Sequence, residues 1–154
     1  MRVTAKVDYA VRAATVLATQ QQGEGGPMKG DRIATSQGIP VKYLEAILSE
    51  LRQAGLVRSQ RGADGGYWLA KPAKEITVAD VLRAVEGPLA SVRGERAEHL
   101  DYPEGTGALQ ELWIAVRASL RNVLDTVTLA DVAGGALPPS VTALVDDPTA
   151  WQPR

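Results

Sequence analysis

The stretch IPVKYLEAILSELRQAGLVRSQRGADGGYWLA, residues 39–70, contains one helix followed by two strands. Pro40 suits the first turn of that helix, because the N–H that proline lacks has no partner there. Apolar side chains then recur every three or four positions, which predicts one buried face, and Gly55 is placed to end the helix. The buried face consists of Leu44, Ile47, Leu48 and Leu51.

Two β-prone runs follow this helix. Residues 56–61 and 67–70 flank the glycine-rich turn 62–66, a pattern typical of a β-hairpin. A shorter helix over about residues 29–37 precedes the stretch, and only two residues separate it from the helix that starts at Pro40. This spacing predicts a helix-turn-helix, and the hairpin that follows it completes the order of a winged helix.

Outward from this motif, the hydrophobic pattern predicts further helices on both sides. Apolar residues recur at helical spacing over about residues 4–20, and Thr77 and Asp80 have the spacing of a capping box that begins another helix. The longest periodic segment covers about residues 106–127, and the same capping spacing recurs directly after it. We therefore predict a mainly α fold with a small β-hairpin wing and a long helix.

The chain divides into four parts by this pattern. They are a winged helix-turn-helix domain over 1–86, a connecting loop over 87–107, a long helix with its cap over 108–133, and a mobile tail over 134–154. The loop is polar and interrupted by glycine and proline. The tail is proline-rich and mostly polar, so we expect only local packing of Leu144 or Trp151 within it.

The composition argues against most enzyme and metal chemistry. A chain of 154 residues fits one domain or a small domain with an arm. The absence of cysteine excludes disulfides, thiolate nucleophiles and Cys-ligated zinc. The single histidine, His99, gives little support for a Ser-His-Asp relay or a zinc site. We predict no catalytic residues, no metal site, no cofactor and no membrane partner, and a cytoplasmic location, since no run approaches the roughly 20 apolar residues of a membrane span.

The net charge of −1 conceals two halves of opposite sign. Residues 1–75 hold 11 basic and 7 acidic residues, a net charge of +4, whereas residues 76–154 hold 6 basic and 11 acidic residues, a net charge of −5. Such an asymmetry is typical of proteins whose basic half meets a nucleic acid or a membrane surface. The basic half is also the half that contains the predicted winged helix.

The outward face of the helix that starts at Pro40 carries side chains suited to double-stranded DNA. Lys42 can meet a phosphate or a guanine edge, Tyr43 can donate a hydrogen bond to a phosphate, and Glu45 can accept one from a cytosine amino group. The alternative is that these residues form only the solvated side of an amphipathic helix. Ala46 and Arg52 lie on the same outward face.

The predicted wing is also basic. Four cations lie within seventeen residues, against the single acid Asp64, and the glycines of the turn keep its tip slim enough to approach DNA closely. Arg61 stands directly before the turn and suits a narrow minor groove, where negative potential is concentrated. The alternative is a surface hairpin whose glycines serve only its turn. The predicted DNA-binding residues of the wing are Arg58, Arg61, Gly62, Gly65 and Gly66.

Several segments resemble the Rrf-type winged helix-turn-helix transcriptional regulators (the IscR/NsrR/CymR family). The resemblance covers about residues 2–133, and its specific part is the wing pattern RGxxGGYxLA at 61–70. It implies a homodimer whose long helix crosses its twin, with DNA read by the helix after Pro40 and by the wing. Pro40 and Ala46 stand where some relatives have polar side chains. The base-reading positions that the resemblance implies are Pro40, Lys42, Glu45, Ala46 and Arg61.

The long helix has an apolar stripe suited to a dimer. Its residues recur at heptad spacing, although the helix could also pack only on its own domain. The predicted dimerisation residues are Trp113, Val116, Leu120, Val123 and Val127.

The chain departs from the cluster-binding members of this family. Those members carry three cysteines in the loop that follows Gly87, and this loop has none. Asp8 occupies a position that supplies a carboxylate ligand in some relatives, and His99 lies in the loop, but an iron–sulfur cluster is held mainly by thiolates. We therefore interpret Asp8 as an acid favoured at a helix N-terminus and His99 as a solvated residue. The signal would be a small effector, a partner protein, or none.

These features predict a homodimeric, sequence-specific DNA-binding regulator without an iron–sulfur cluster, most simply a repressor and not an enzyme. The alternative is a protein-interaction or small-molecule-sensing module that kept the fold without tight DNA binding.

Overall fold

A computed structural model describes residues 2–23 and 25–153 of the chain. It confirms a mainly helical fold with one antiparallel hairpin. Along the described residues the elements are α1 (Ala5–Gln22), α2 (Gly30–Gln37), α3 (Val41–Gln53), β1 (Val57–Gln60), β2 (Gly66–Leu69), α4 (Val78–Glu86), α5 (Ala108–Leu124), α6 (Leu129–Gly134) and α7 (Pro139–Val145).

Local sequence signals begin and end several of these helices. The hydroxyl of Thr77 accepts a hydrogen bond from the Asp80 N–H at 3.1 Å, and the Asp80 carboxylate accepts one from the Thr77 N–H at 3.0 Å. This confirms the predicted capping box, and Thr128 with Asp131 forms a second one at the start of α6. Gly38 ends α2 with φ of +62°, which lets the chain turn directly into α3.

Helix α1 lies at the centre of the packing. It contacts α2, α3, α4, α6 and β2. The side chains at the centre of the core are aliphatic, and no polar side chain of the described residues is buried. The fold is therefore held mainly by removal of apolar surface from water. The largest fully buried side chains include Leu17, Ile33, Leu44, Ile47, Leu48, Leu51, Ile76 and Leu129.

The wing is the hairpin of β1 and β2, in which Val57 pairs with Leu69 and Gln60 with Gly66. One residue extends this hairpin. The Met28 N–H donates to the Tyr67 carbonyl at 2.9 Å, and the Tyr67 N–H donates to the Met28 carbonyl at 2.8 Å. The segment before α2 therefore pairs with the free edge of β2, an arrangement that no local pattern in the sequence predicts.

Residues 87–107, predicted as a polar connecting loop, connect α4 to α5, and three of their apolar side chains pack into the protein. Leu89, Ala97 and Leu100 are buried, and residues 97–99 form a short 3-10 turn. The side-chain amide of Gln110 on α5 donates to the Leu100 carbonyl at 2.9 Å. The sequence did not indicate this packing, because single apolar residues spaced through a polar segment make no periodic pattern, yet each can fill one site on a neighbouring surface. We refer to residues 87–107 as the packed segment.

Helix α5 lies on the surface of the protein, with one face half-buried and the other exposed. None of its residues is buried in the described chain, and Leu112 retains 49% of its accessible surface. The helix ends at Leu124, so Val127 does not continue its apolar stripe. Val127 is instead buried, and its carbonyl accepts a hydrogen bond from the Val78 N–H at 2.9 Å. We therefore remove Val127 from the predicted dimerisation residues, because it is buried within its own chain and hydrogen-bonded to the start of α4.

The segment 134–154 contains a short helix, α7, that the prediction of a mobile tail missed. Val141 is its buried residue, whereas Leu144 and Trp151, which we expected to pack locally, are 56% and 73% exposed. The Trp151 indole N–H donates to the Val145 carbonyl at 2.7 Å. Pro139 at the first helical position was the available signal, since proline is favoured there.

Within the part of the chain that the structure describes, no helix has both the length and the apolar character that crossing a bilayer requires.

Candidate nucleic-acid interface

Helix α3 separates an apolar face from an exposed one. The predicted buried residues, Leu44, Ile47, Leu48 and Leu51, all lie in the core. The opposite face begins at Pro40, which precedes the first turn, and it is solvent-exposed. The exposed residues of the first half of this face are Pro40, Val41, Lys42, Tyr43, Glu45 and Ala46. The structure thus places five predicted DNA-binding residues next to one another on one surface.

The position of Tyr43 is set by a chain of contacts from α1. Its ring meets the ring of Tyr9 edge-on, with centroids 5.6 Å apart and planes at 89°. The guanidinium of Arg12 lies over the same Tyr9 ring, 5.5 Å from its centroid, and also donates to the side chain of Gln37 at the end of α2. Edge-to-face and cation–π contacts of this kind fix ring orientation. Tyr43 is thereby held with part of its ring in solvent.

Asp8 belongs to the same cluster. Its carboxylate forms an ion pair with Arg12 at 3.1 Å, one turn further along α1. This pairing, together with its place in the first turn of α1, gives Asp8 a local role in holding Arg12. The carboxylate is exposed.

Arg52 lies apart from the other predicted residues of α3. It is ten positions after Lys42, which places it about 15 Å further along the helix axis. Its guanidinium donates to the Ser59 hydroxyl on β1 at 3.2 Å. Arg52 therefore sits at the base of the wing, where it joins α3 to the hairpin, rather than beside the exposed side chains of the first two turns.

The base of the wing is a basic surface. Arg58 stands opposite Trp68 in the hairpin register. A shallow depression of about 470 Å³ is lined there by Arg52, Arg58, Trp68 and Lys71, among others. Among the described residues, neither Lys42, Arg58 nor Arg61 forms an ion pair. These cations are exposed and available to an external anion.

The three predicted wing glycines are not equivalent. Gly62 is exposed with φ of +109° and has open space around it. Gly65 and Gly66 are buried, so the structure corrects their prediction as DNA-facing residues. A Cβ on Gly65 would lie 2.1 Å from the Gln60 carbonyl oxygen, and one on Gly66 would lie 2.6 Å from the Met28 carbonyl carbon. Both residues are required by close backbone approach inside the hairpin.

Lys29 also belongs to this surface, although no pattern in the sequence predicted it. Its ammonium group donates to the Gly62 carbonyl at 2.5 Å, which ties the segment before α2 to the tip of the wing. The feature of the sequence that could have indicated this contact is Met28. It is an apolar residue at the end of a polar loop, and such a side chain is expected to pack against another part of the protein. Lys29 follows it and adds a further cation at the tip.

Comparison with known proteins gives a consistent result. A family model named Rrf2 and described as an iron-dependent transcriptional regulator matches residues 3–135. Rv1287 of Mycobacterium tuberculosis (strain ATCC 25618 / H37Rv), assigned by its name to the HTH-type transcriptional regulators, is 54% identical over 147 residues, which cover 96% of this chain and 90% of that protein. The HTH-type transcriptional regulator CymR of Bacillus subtilis (strain 168) is 40% identical, over 86% of this chain and 90% of that protein.

The solved structures agree with the sequence comparison. The structure of CymR, the global cysteine regulator of B. subtilis, matches with a TM-score of 0.73 and 37% identity, covering 88% of this chain and 98% of that one. The structure of T. potens IscR matches with a TM-score of 0.67 and 36% identity, covering all of this chain and 93% of that one.

The donor set of this chain does not fit an iron–sulfur cluster, although the family model is described as iron-dependent. The chain has no cysteine, and thiolates are the usual ligands of such clusters. The structure brings no group of three or more metal-ligating side chains together among the residues it describes. His99 is exposed, and Asp8 is paired with Arg12.

Proposed function

The chain belongs to the Rrf2 family of transcriptional regulators, and on that premise we propose that it is a homodimeric repressor that binds specific sequences in double-stranded DNA through α3 and the wing. The observation that carries the proposal is the surface on which Lys42, Tyr43 and Glu45 lie exposed on α3 while Arg58 and Arg61, which form no ion pair with any residue the structure describes, lie exposed on the hairpin that follows.

The geometry suits the two grooves of DNA. A major groove about 12 Å wide admits one α-helix, and the exposed side chains of α3 are concentrated in its first turns, which are the part of such a helix that meets base edges. Arg61 in the wing would then reach the neighbouring minor groove or backbone. Arg52 and Arg58, at the base of the wing, would contact phosphates and set the register of the protein on the duplex.

The exposure of α5 supports a homodimer. Its apolar stripe is only half-buried by the protein's own chain, and a helix with such a stripe gains stability when a second apolar surface covers it. The dimerisation residues that remain after the correction are Trp113, Val116, Leu120 and Val123. A two-fold dimer would present two copies of α3 to half-sites about one helical turn of DNA apart.

The decisive experiment measures binding to the promoter region of the protein's own gene at several salt concentrations. If several phosphates are contacted, the logarithm of the association constant falls steeply with the logarithm of the salt concentration, with a slope of about −0.9 per phosphate. The promoter fragment should also bind more tightly than a shuffled duplex of equal length. Weak binding with a flat salt response would contradict the proposal and favour a sensing module that kept the fold.

A further inference from the structure

A cavity lined by four arginines lies between α4, the packed segment and α5. Its volume is about 290 Å³, which is near the lower end of the range of about 300–1,000 Å³ for small-molecule sites. The remaining lining residues, Gly87, Pro88 and Leu89, come from the first positions of the packed segment. The arginines that line the cavity are Arg83, Arg96, Arg117 and Arg121.

Two of these arginines are held in place by carboxylates. Arg83 donates two hydrogen bonds to Asp125, at 2.8 and 2.9 Å, and lies 3.5 Å from Asp80. Arg117 pairs with Glu98 of the packed segment, and only 14% of its side chain is exposed. These pairs bridge α4 to the end of α5 and the packed segment to the middle of α5, so they form a rigid frame around the cavity.

The other two arginines are left with free donors. Among the described residues, neither Arg96 nor Arg121 forms an ion pair or donates a side-chain hydrogen bond. The charge of Arg121 contributes to the lowered pKa of Asp125, but Asp125 takes its hydrogen bonds from Arg83. Each free guanidinium offers a planar fork that matches a phosphate or carboxylate group. The guanidinium groups of Arg96 and Arg121 thus offer the cavity hydrogen-bond donors that no acceptor among the described residues occupies.

We propose that this cavity binds a small anion carrying a phosphate or carboxylate group, recognised by Arg96 and Arg121 against the frame of Arg83 and Arg117. The site lies where such a ligand could act as an effector, because α4 packs directly against α3 and α1. That regulatory role rests on the proposed function, whereas binding of the anion does not.

The site is compatible with the proposed dimer. Arg121 is turned about 100° around α5 from Leu120. Arg117 is turned only about 40° from Trp113, but its guanidinium pairs with Glu98 of its own packed segment. A second copy packed on the stripe would therefore leave the arginine row beside its own packed segment.

The test compares full-length wild type with Arg96→Gln and Arg121→Gln, using sodium phosphate and sodium malonate as probes against sodium chloride of equal ionic strength. Arg93→Gln is the matched control. Arg93 lies in the same segment but does not line the cavity, and its guanidinium stacks over the ring of Tyr102. We expect one of the anions to raise the melting temperature of wild type and of Arg93→Gln. Titration calorimetry should show that each cavity variant weakens binding by about tenfold or more. The anion with the larger effect identifies the phosphate or the carboxylate class.

Equal responses of all four proteins, or no response beyond that to chloride, would overturn the anion site. The effector role has a separate readout, the affinity for promoter DNA with and without the active anion. An anion that stabilises the protein but leaves this affinity unchanged would overturn the effector role. Failure to bind DNA at all would overturn the proposed function, while the melting-temperature result would still decide the anion site.

Discussion

The three glycines of the wing turn, Gly62, Gly65 and Gly66, have different surroundings, so an added Cβ would have a different effect at each. Gly62 faces solvent, whereas a Cβ at Gly65 or Gly66 would meet backbone atoms of Gln60 or Met28. The sequence alone predicted the turn, because glycine clusters mark turns, but it did not separate the glycines that close the hairpin from the one at its tip. That distinction depends on Met28, a partner from a different part of the chain.

Gly65→Ala should therefore lower the free energy of unfolding by about 1–3 kcal/mol, the usual cost of forcing extra atoms into a packed site. The measurement is urea unfolding followed by circular dichroism. Gly134→Ala is the control, since a Cβ there meets open space at a normal φ and should leave stability unchanged or raise it by up to about 1 kcal/mol. Equal stability of the two variants would contradict the backbone contact seen at Gly65.

Arg61→Ala should weaken binding to the promoter fragment by about 1–3 kcal/mol, the range for a base-edge or groove contact. Fluorescence anisotropy with labelled duplex gives the affinity. Arg93→Ala removes an exposed arginine outside the proposed interface and should bind as wild type does. If Arg61→Ala keeps full affinity, the wing does not read DNA.

At the scale of elements, predictions that rest on local chemistry succeeded and those that rest on long-range packing did not. The capping pairs at Thr77 and Thr128 specify helix starts within four residues of sequence, so they could be recognised directly. The packed segment and the bridge at Met28 depend on surfaces supplied by α5 and β2, which no local pattern encodes. The exposed cations of α3 and the wing could be predicted, because the spacing of the buried apolar residues also determines which positions face outward.

The ion pair of Arg83 with Asp125 links α4 to the end of α5, and it predicts a pH dependence. The hydrogen bonds from Arg83 lower the pKa of Asp125 below its ordinary value. A carboxyl whose pKa is lowered on folding adds stability above its unfolded pKa, and that stability is lost as the pH falls through the folded pKa. The contribution should thus be present in full at neutral pH, begin to fall as the pH drops below about 4, where the carboxyl of the unfolded chain titrates, and be lost once the pH is below the lowered pKa of the folded state.

We therefore expect Asp125→Asn to be less stable than wild type at pH 7, with the difference shrinking at pH 3. Both side chains are partly exposed, so solvent screening keeps the effect small. Urea unfolding at the two pH values measures it. Asp101→Asn changes an exposed acid that has no ion-pair partner among the described residues and should behave as wild type at both. A difference of equal size at pH 7 and pH 3 would contradict the assignment.

At the scale of the whole molecule, the basic half of the sequence and the exposed helix α5 lie in different parts of the fold. The cations of α3 and the wing belong to the first 75 residues, and α5 to the acidic remainder. In the proposed dimer the like charges of the acidic half would be directed away from the duplex. The net charge of the whole chain shows nothing of this arrangement.

Leu120→Glu should convert the protein to a monomer, because it places a charge in the apolar stripe that the second copy would cover. Sedimentation velocity gives the mass in solution. Ala118→Glu is the matched control, since Ala118 is exposed and lies on the opposite side of α5. A dimer in both variants would show that the stripe is not the dimer contact. A monomeric wild type would contradict the homodimer itself.

The exposure of α5 also bears on how the protein would respond to its own abundance. The apolar stripe of α5 is only half-buried within its own chain. In the proposed dimer, part of the stability of this helix would come from the second copy, and its folding would be coupled to association. At low abundance the population of dimer then grows with the square of the monomer concentration. Occupancy of a two-half-site operator would rise more steeply than the number of molecules in the cell, and a repressor acting on its own promoter would hold that number near a set value.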